Sequence, residues 1–323
     1  MDIQTGESLI PIAFATDENY IVPTLVAFKS AVINTNSDNK YIFFILVEKD
    51  VSDAVKKMFL SVIDGYPYIT LNFLIVGHLI GKVNIFQNGP VKGVSLVTYY
   101  RFLLPDLLPE YDKALYIDTD TIIKNDVAQI YEYNMNDAYV AGVRDIVEYQ
   151  NETVRCKELS IDSLHTYINA GVILLNLKKL RDTNLAHKML KVASTSSFPY
   201  NDQDIINSLC YGYIAILPFR CNVILDYLSN PSTISEVLNI DYEKETKQPI
   251  ILHFAGRSKP WYTKDVLFAS QWWDVALSLE SPIFKREFRK FMHLVRKKHH
   301  KKKRLKIFVR RIIDIISKKK HIR

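Results

Sequence analysis

The chain has few cysteines, and no pattern joins them. Cys156, Cys210 and Cys221 are an odd number, and no two stand at a CxxC or other metal-ligand spacing. A secreted disulfide framework is therefore not indicated, and three ordinary reduced thiols of a cytoplasmic protein are expected. Long apolar runs are missing as well. The longest, such as 41–47, have the length of a strand and fall short of a bilayer span. The opening Met1-Asp2-Ile3-Gln4-Thr5-Gly6-Glu7 is acidic and has neither the basic flank nor the apolar stretch of a secretory signal. No internal repeat is visible. These absences argue against an exported or integral membrane protein.

What is present suits a folded enzyme-sized chain. Its 323 residues are 48% hydrophobic and 24% charged, enough to bury a core without staples. The net charge of +7 hides an asymmetry. From Lys285 to Arg323 there are 18 Lys+Arg against two acids, a net +16, which leaves 24 Lys+Arg against 33 Asp+Glu and a net −9 elsewhere. An acidic body with a basic tail is two physical objects.

Strand-like and helix-like segments alternate. Runs 9–15, 41–47 and 69–76 read as strands, and 22–32 and 53–63 have helical spacing, the latter behind a Ser52 cap. This βαβαβ rhythm predicts a Rossmann-like α/β unit with a mostly parallel sheet. Further strands are expected at 113–117, 139–143, 172–177 and 250–254, and short helices from 97 and over 202–209.

Strand 113–117 runs straight into Asp118-Thr119-Asp120. Two carboxylates one residue apart at a strand end can share a hard divalent cation, Mn²⁺ or Mg²⁺, that keeps positions open for phosphate oxygens. The bland alternative is a pair of aspartates capping a turn. A second alternative is the D-x-D-x-T signature of haloacid-dehalogenase-type phosphatases, in which the first Asp is a nucleophile. The signature's Thr would fall at Ile122 here. His253 at a late strand end can add a third, imidazole ligand. Gly256 permits close backbone approach, and Lys259 offers a compact cation for a phosphate.

Six segments in order decide among these readings. They are Phe14-Ala15-Thr16-Asp17-Glu18-Asn19-Tyr20, Thr98-Tyr99-Tyr100-Arg101-Phe102, Leu115-Tyr116-Ile117-Asp118-Thr119-Asp120, Tyr167-Ile168-Asn169-Ala170-Gly171-Val172, Asn201-Asp202-Gln203-Asp204, and His253 to Trp261. Together they resemble the family-8 retaining glycosyltransferases, over about Pro11 to Trp261. The resemblance implies a GT-A fold over 1–265, with a helical basic region over 266–323. It implies UDP-galactose or UDP-glucose as donor and a saccharide acceptor. Asp118, Asp120 and His253 would hold Mn²⁺; Gly256 and Lys259 would hold the diphosphate. Asp17 and Asn19 would recognise uracil and ribose, and Arg101 would touch the donor. Asp145, Asn169, Asp202 and Gln203 would line the sugar pocket. Gln203 would lie next to the anomeric carbon, with Asp202 and Asp204 beside it as the catalytic group. Where one member of the family has a His eight residues before the Arg, this chain has Gly93, with Lys92 beside it.

In the tail, Leu305, Phe308, Val309, Ile312, Ile313 and Ile316 recur at helical spacing among lysines and arginines. That pattern predicts an interfacial helix on anionic lipid, hence a peripheral protein on the inner face of the cell membrane with a lipid-linked acceptor. Packing of the helix on its own body is the alternative. No interleaved aromatics or known motif point to nucleic acid.

Overall fold

The computed structural model describes residues 9–80, 95–146, 151–196, 198–225, 231–256, 258–263 and 265–297. The chain divides into two compact units, Met1–Ala255 and Gly256–Arg323.

Among the described residues the first unit holds ten strands: β1 (Leu9–Thr16), β2 (Lys40–Val47), β3 (Ile69–Ile75), β4 (Lys113–Ile117), β5 (Thr121–Ile123), β6 (Val140–Arg144), β7 (Ile168–Asn176), β8 (Ile214–Ile216), β9 (Val223–Ile224) and β10 (Ile251–His253). Seven form one sheet in the order β3-β2-β1-β4-β7-β6-β8. β7 runs antiparallel to β4 and β6, and the other described pairings in this sheet are parallel. The sheet is thus mixed and mostly parallel, as expected from the alternating rhythm.

β1 and β2 are buried almost throughout, as strands covered on both faces must be. The helix Ile21–Val32 buries ten of its twelve residues, and Phe28 meets Phe43 of β2 edge-on at 5.1 Å. The helix Asp53–Ile63 starts where the Ser52 cap predicts, with the Ser52 side chain accepting from Val55 N.

The reversal at β7 matters most for the site. Parallel strands β4 and β6 end in Ile117 and Arg144; because β7 runs the other way, its first residues lie beside those ends. Asp118 N donates to Gly171 O at 2.7 Å. The 169–171 segment is therefore strand, ahead of the 172–177 run expected from the sequence. A second sheet, β5-β10-β9, carries His253 at the end of β10, registered with Thr121 and Ile224.

The second unit is packed by aromatics. Trp261 lies 5.3 Å from Trp272 and 6.0 Å from Phe291; Phe288 lies 5.8 Å from Trp273. Trp273 Nε1 donates to Pro260 O at 3.0 Å. Residues 282–297 are helical, with Phe284, Phe291 and Val295 buried and Lys285, Arg286, Arg289, Lys290, Arg296 and Lys297 exposed. Trp261, on the near side of the expected boundary at 265, thus packs with aromatics of this unit. The stripe from Leu305 to Ile316 lies outside the described residues. No described helix is long and apolar enough to cross a membrane.

Candidate active site

Asp118 and Asp120 leave β4, and His253 ends β10. One ligand atom from each lies within 4.8 Å of the others. His253 Nε2 is 3.3 Å from Asp120 Oδ1. Phe254 N donates to Asp120 O, which ties the two chain segments together, and Thr121 Oγ1 donates to Asp118 O within the 118–121 turn.

Two observations show that these residues fit a divalent cation. The donor set is chemically apt, two carboxylates and an imidazole. The space is also kept clear by Gly171. A Cβ there would stand 2.2 Å from His253 Cε1 and 2.9 Å from Asp118 Oδ2, closer than any real contact. Gly171 had appeared in the sequence only as part of a motif; its role emerges from the close approach of three strands.

Arg101 is buried, at 3% exposure. It reaches Asp118 Oδ1 at 2.9 Å and lies 3.0 Å from Asp202 Oδ2. Its Nε–H is donated to Thr98 O at 2.9 Å, so Asp202 Oδ2 is ion-paired without receiving a hydrogen bond. The guanidinium also bonds Ala170 O and stacks 4.1 Å over the Tyr116 ring. Burial works against the cation, but Asp202, then Tyr116 and Asp118, more than offset it and raise its pKa. Burial pushes Asp202 up to about 6, against the pull of Arg101 and the Thr98 hydroxyl.

The expected sugar-pocket residues converge. Gln203 Nε2 donates to Asp145 Oδ2 at 3.0 Å and to Tyr167 OH at 3.2 Å. Its Oε1 accepts from Ala170 N at 3.1 Å and Asn169 Nδ2 at 3.2 Å. Asn169 Nδ2 also donates to Asp145 Oδ2 at 3.1 Å. Asp204 is 0% exposed. Its carboxylate accepts from Tyr167 OH at 2.6 Å and Tyr200 N at 2.9 Å and pairs with buried Arg155.

Asp17 follows β1, at the same sheet edge as the end of β4. Its Oδ1 accepts from Asn19 N and Tyr20 N, and Ser95 Oγ donates to its Oδ2. Neither Asp17 nor Asn19 is the helix cap; Tyr20 is. Asn19 is exposed. Gly256, in the left-handed region at φ 75°, and Lys259 belong to the second unit. Lys92 and Gly93 lie outside the described residues. Sequence reading gave no role to Tyr167, quoted only within a motif, and missed Arg155, the two of which brace Gln203 and Asp204, and Asn222, which carries no motif at all.

A mostly parallel sheet with two carboxylates at a central strand end, an imidazole across from them and a cluster of polar side chains alongside is the arrangement of a GT-A fold. The chain matches Glycosyl transferase family 8 over residues 11–265 and belongs to that family of retaining glycosyltransferases. It is 28% identical to a lipopolysaccharide 1,2-glucosyltransferase of Escherichia coli K12, over 85% of this chain and 79% of that one. It is 27% identical to a putative glycosyltransferase of Haemophilus influenzae, over 78% and 73% respectively. Its fold resembles the solved galactosyltransferase LgtC in complex with donor and acceptor sugar analogs, with TM-score 0.70 at 24% identity, covering 86% of this chain and 100% of that one. The D-x-D-x-T phosphatase reading is set aside by this membership, and Ile122 lies buried in β5 where the signature's Thr would stand.

Proposed function

We propose that the protein transfers a hexose, glucose or galactose, from a UDP-sugar to a saccharide acceptor with retention of anomeric configuration. The convergence of Asp118, Asp120 and His253 beside the Asp145–Asn169–Gln203 cluster carries this reading. The names of the relatives, a glucosyltransferase of lipopolysaccharide and a galactosyltransferase, support a hexose donor and a cell-surface glycan as product.

Asp118, Asp120 and His253 would hold the cation, Mn²⁺ or Mg²⁺. A divalent cation there supplies positive charge against the donor diphosphate. Arg101, ion-paired with Asp118, fixes that carboxylate, and Lys259 would be a cation for the diphosphate. Asp17 and Asn19 engage the uridine. Asp145, Asn169, Asp202 and Gln203 orient the hexose.

The chemical step breaks the C1–O bond to the diphosphate and forms a C1–O bond to the acceptor on the same face. The acceptor's proton passes to the departing phosphate oxygen, so no protein base is needed. The site supports this front-side route over a covalent sugar–enzyme adduct. Both lone pairs of Gln203 Oε1 already accept hydrogen bonds, and a carboxamide is a poor nucleophile. Asp204, wholly buried and engaged on both oxygens, acts through Tyr167 to steady Gln203.

A donor-hydrolysis screen with Mn²⁺ tests the reading, because slow hydrolysis exposes the donor before the acceptor is known. UDP-glucose or UDP-galactose should be cleaved and other nucleotide sugars spared. Tight binding of a UDP-sugar with neither hydrolysis nor transfer would make this a sugar-nucleotide binding protein. The described helix 282–297 and the net charge of 285–323 also suit docking at an anionic membrane that presents a lipid-linked acceptor.

A further inference from the structure

We infer that Asn222 is a positioning residue that dictates which nitrogen of His253 faces the metal site, a role that rests on the metal reading above. Asn222 is fully buried. It follows the short 3₁₀ turn Phe219–Cys221 and immediately precedes β9, the parallel neighbour of β10. That places its amide beside the His253 ring.

The argument runs along one chain of hydrogen bonds whose direction is set by a backbone group. Gly171 N–H can only donate, and it lies 3.0 Å from one end of the Asn169 amide. That end must be Oδ1, which puts Nδ2 against Asp145 Oδ2 and Gln203 Oε1, both acceptors. Gln203 is oriented by the same logic, because Ala170 N–H requires its oxygen. Asn222 then meets Asn169 Oδ1 at 3.0 Å and has to present Nδ2 there. Its Oδ1 is left facing His253 Nδ1 at 3.0 Å. An oxygen acceptor at that distance requires a proton on Nδ1. Nε2 therefore turns to the carboxylates, 3.3 Å from Asp120 Oδ1, as the nitrogen whose lone pair a cation would take.

Two ordinary backbone amides of β7 thus specify the metal-facing atom of a histidine on a different sheet, through Asn169 and Asn222. Partners of this kind orient metal-ligating imidazoles, and their loss commonly costs ~10–100-fold in metal affinity. The same chain passes through Asn169 and Gln203, so the sugar pocket and the metal ligand share one set of oriented amides.

The test uses full-length metal-free protein labelled with ¹⁵N-histidine, with the His253 signal assigned by its loss in His253→Gln. Nδ1 should show a protonated, pyrrole-type shift in wild type. Asn222→Asp gives up the donor to Asn169 but keeps an acceptor on Nδ1 and should preserve that shift. Asn222→Ala should lose it, and its Mn²⁺ dissociation constant, followed by the free-ion EPR signal, should rise ~10–100-fold. A pyridine-type Nδ1 in wild type overturns the proposal, and that spectrum decides even if the alanine variant fails to fold. Wild-type Mn²⁺ affinity in a folded Asn222→Ala protein overturns it too. A protonated Nδ1 in wild-type protein that binds no Mn²⁺ instead sinks the metal reading, and this role with it.

Discussion

The candidate site of the first unit and the aromatic second unit are both well packed, yet by opposite means. Around Asp118 and Gln203 the buried atoms are polar, and nearly every one is matched to a named partner. Around Trp261 and Trp272 they are rings, with Trp273 contributing one hydrogen bond to Pro260. Apolar packing tolerates exchange of similar shapes. A buried polar network does not, because each lost partner strands a donor or a charge. Function should therefore be brittle in the first region and forgiving in the second.

The hardest test of that contrast removes a ligand. Asp118→Ala, Asp120→Ala and His253→Ala should each lower Mn²⁺-dependent donor hydrolysis by on the order of 10³-fold, a typical cost for a lost electrostatic element of catalysis. Circular dichroism should show the fold retained. Full turnover of metal-free protein in EDTA would break the comparison at its root.

A gentler change at the same place is Gly171→Ala. One methyl group would collide with His253 and Asp118, so Mn²⁺ affinity should fall ~10–100-fold. Overpacking should also cost about 1–3 kcal/mol of stability. Calorimetric titration and a thermal melt would report the two effects separately. Unchanged Mn²⁺ affinity would mean that the cation does not sit against this glycine.

Asp202 gives a pH signature. Its folded pKa is raised to about 6, by burial above all, while an unfolded carboxylate titrates near ~3.9. The folded chain therefore takes up this proton more readily than the unfolded one. The associated stability is fully present below the unfolded value and is lost as pH rises through about 6. Relative to Asp202→Asn, metal-free wild type should gain on the order of 1 kcal/mol between pH 7 and pH 5. Parallel denaturation curves for the two proteins across that range would refute it.

The smallest effect is expected in the second unit. Truncation after Lys297 should leave turnover on a soluble acceptor unchanged, since every candidate site residue lies upstream. Sedimentation with anionic vesicles should fall, and added salt should weaken binding of the full-length chain. A truncated protein that pellets as well as the intact one would remove the membrane role from the tail.

The sequence legibly carried the strand ending in Asp118-Thr119-Asp120, the Ser52-capped helix and the alternation that predicts a mostly parallel sheet. Each is local, resting on periodicity or on side chains a few residues apart. The start of β7 was not legible in the same way, because Asn169, Ala170 and Gly171 carry no apolar alternation. They are held as strand by amides and carboxylates from other parts of the chain. β5 and β9, at three and two residues, are too short to show a period.

Asn222 marks the limit of sequence reading. Nothing near Cys221-Asn222-Val223 suggests chemistry, and its importance comes from lying next to His253 on a paired strand. Residue types and order sufficed to bring Asp118, Asp120 and His253 forward as candidate ligands and for the family resemblance. The orientation of each amide, the clearance at Gly171 and the pairing of Arg101 with two carboxylates were decided only by the tertiary structure. Hydrogen-bond direction and steric clearance depend on atoms brought together from distant parts of the chain, and no local pattern encodes them.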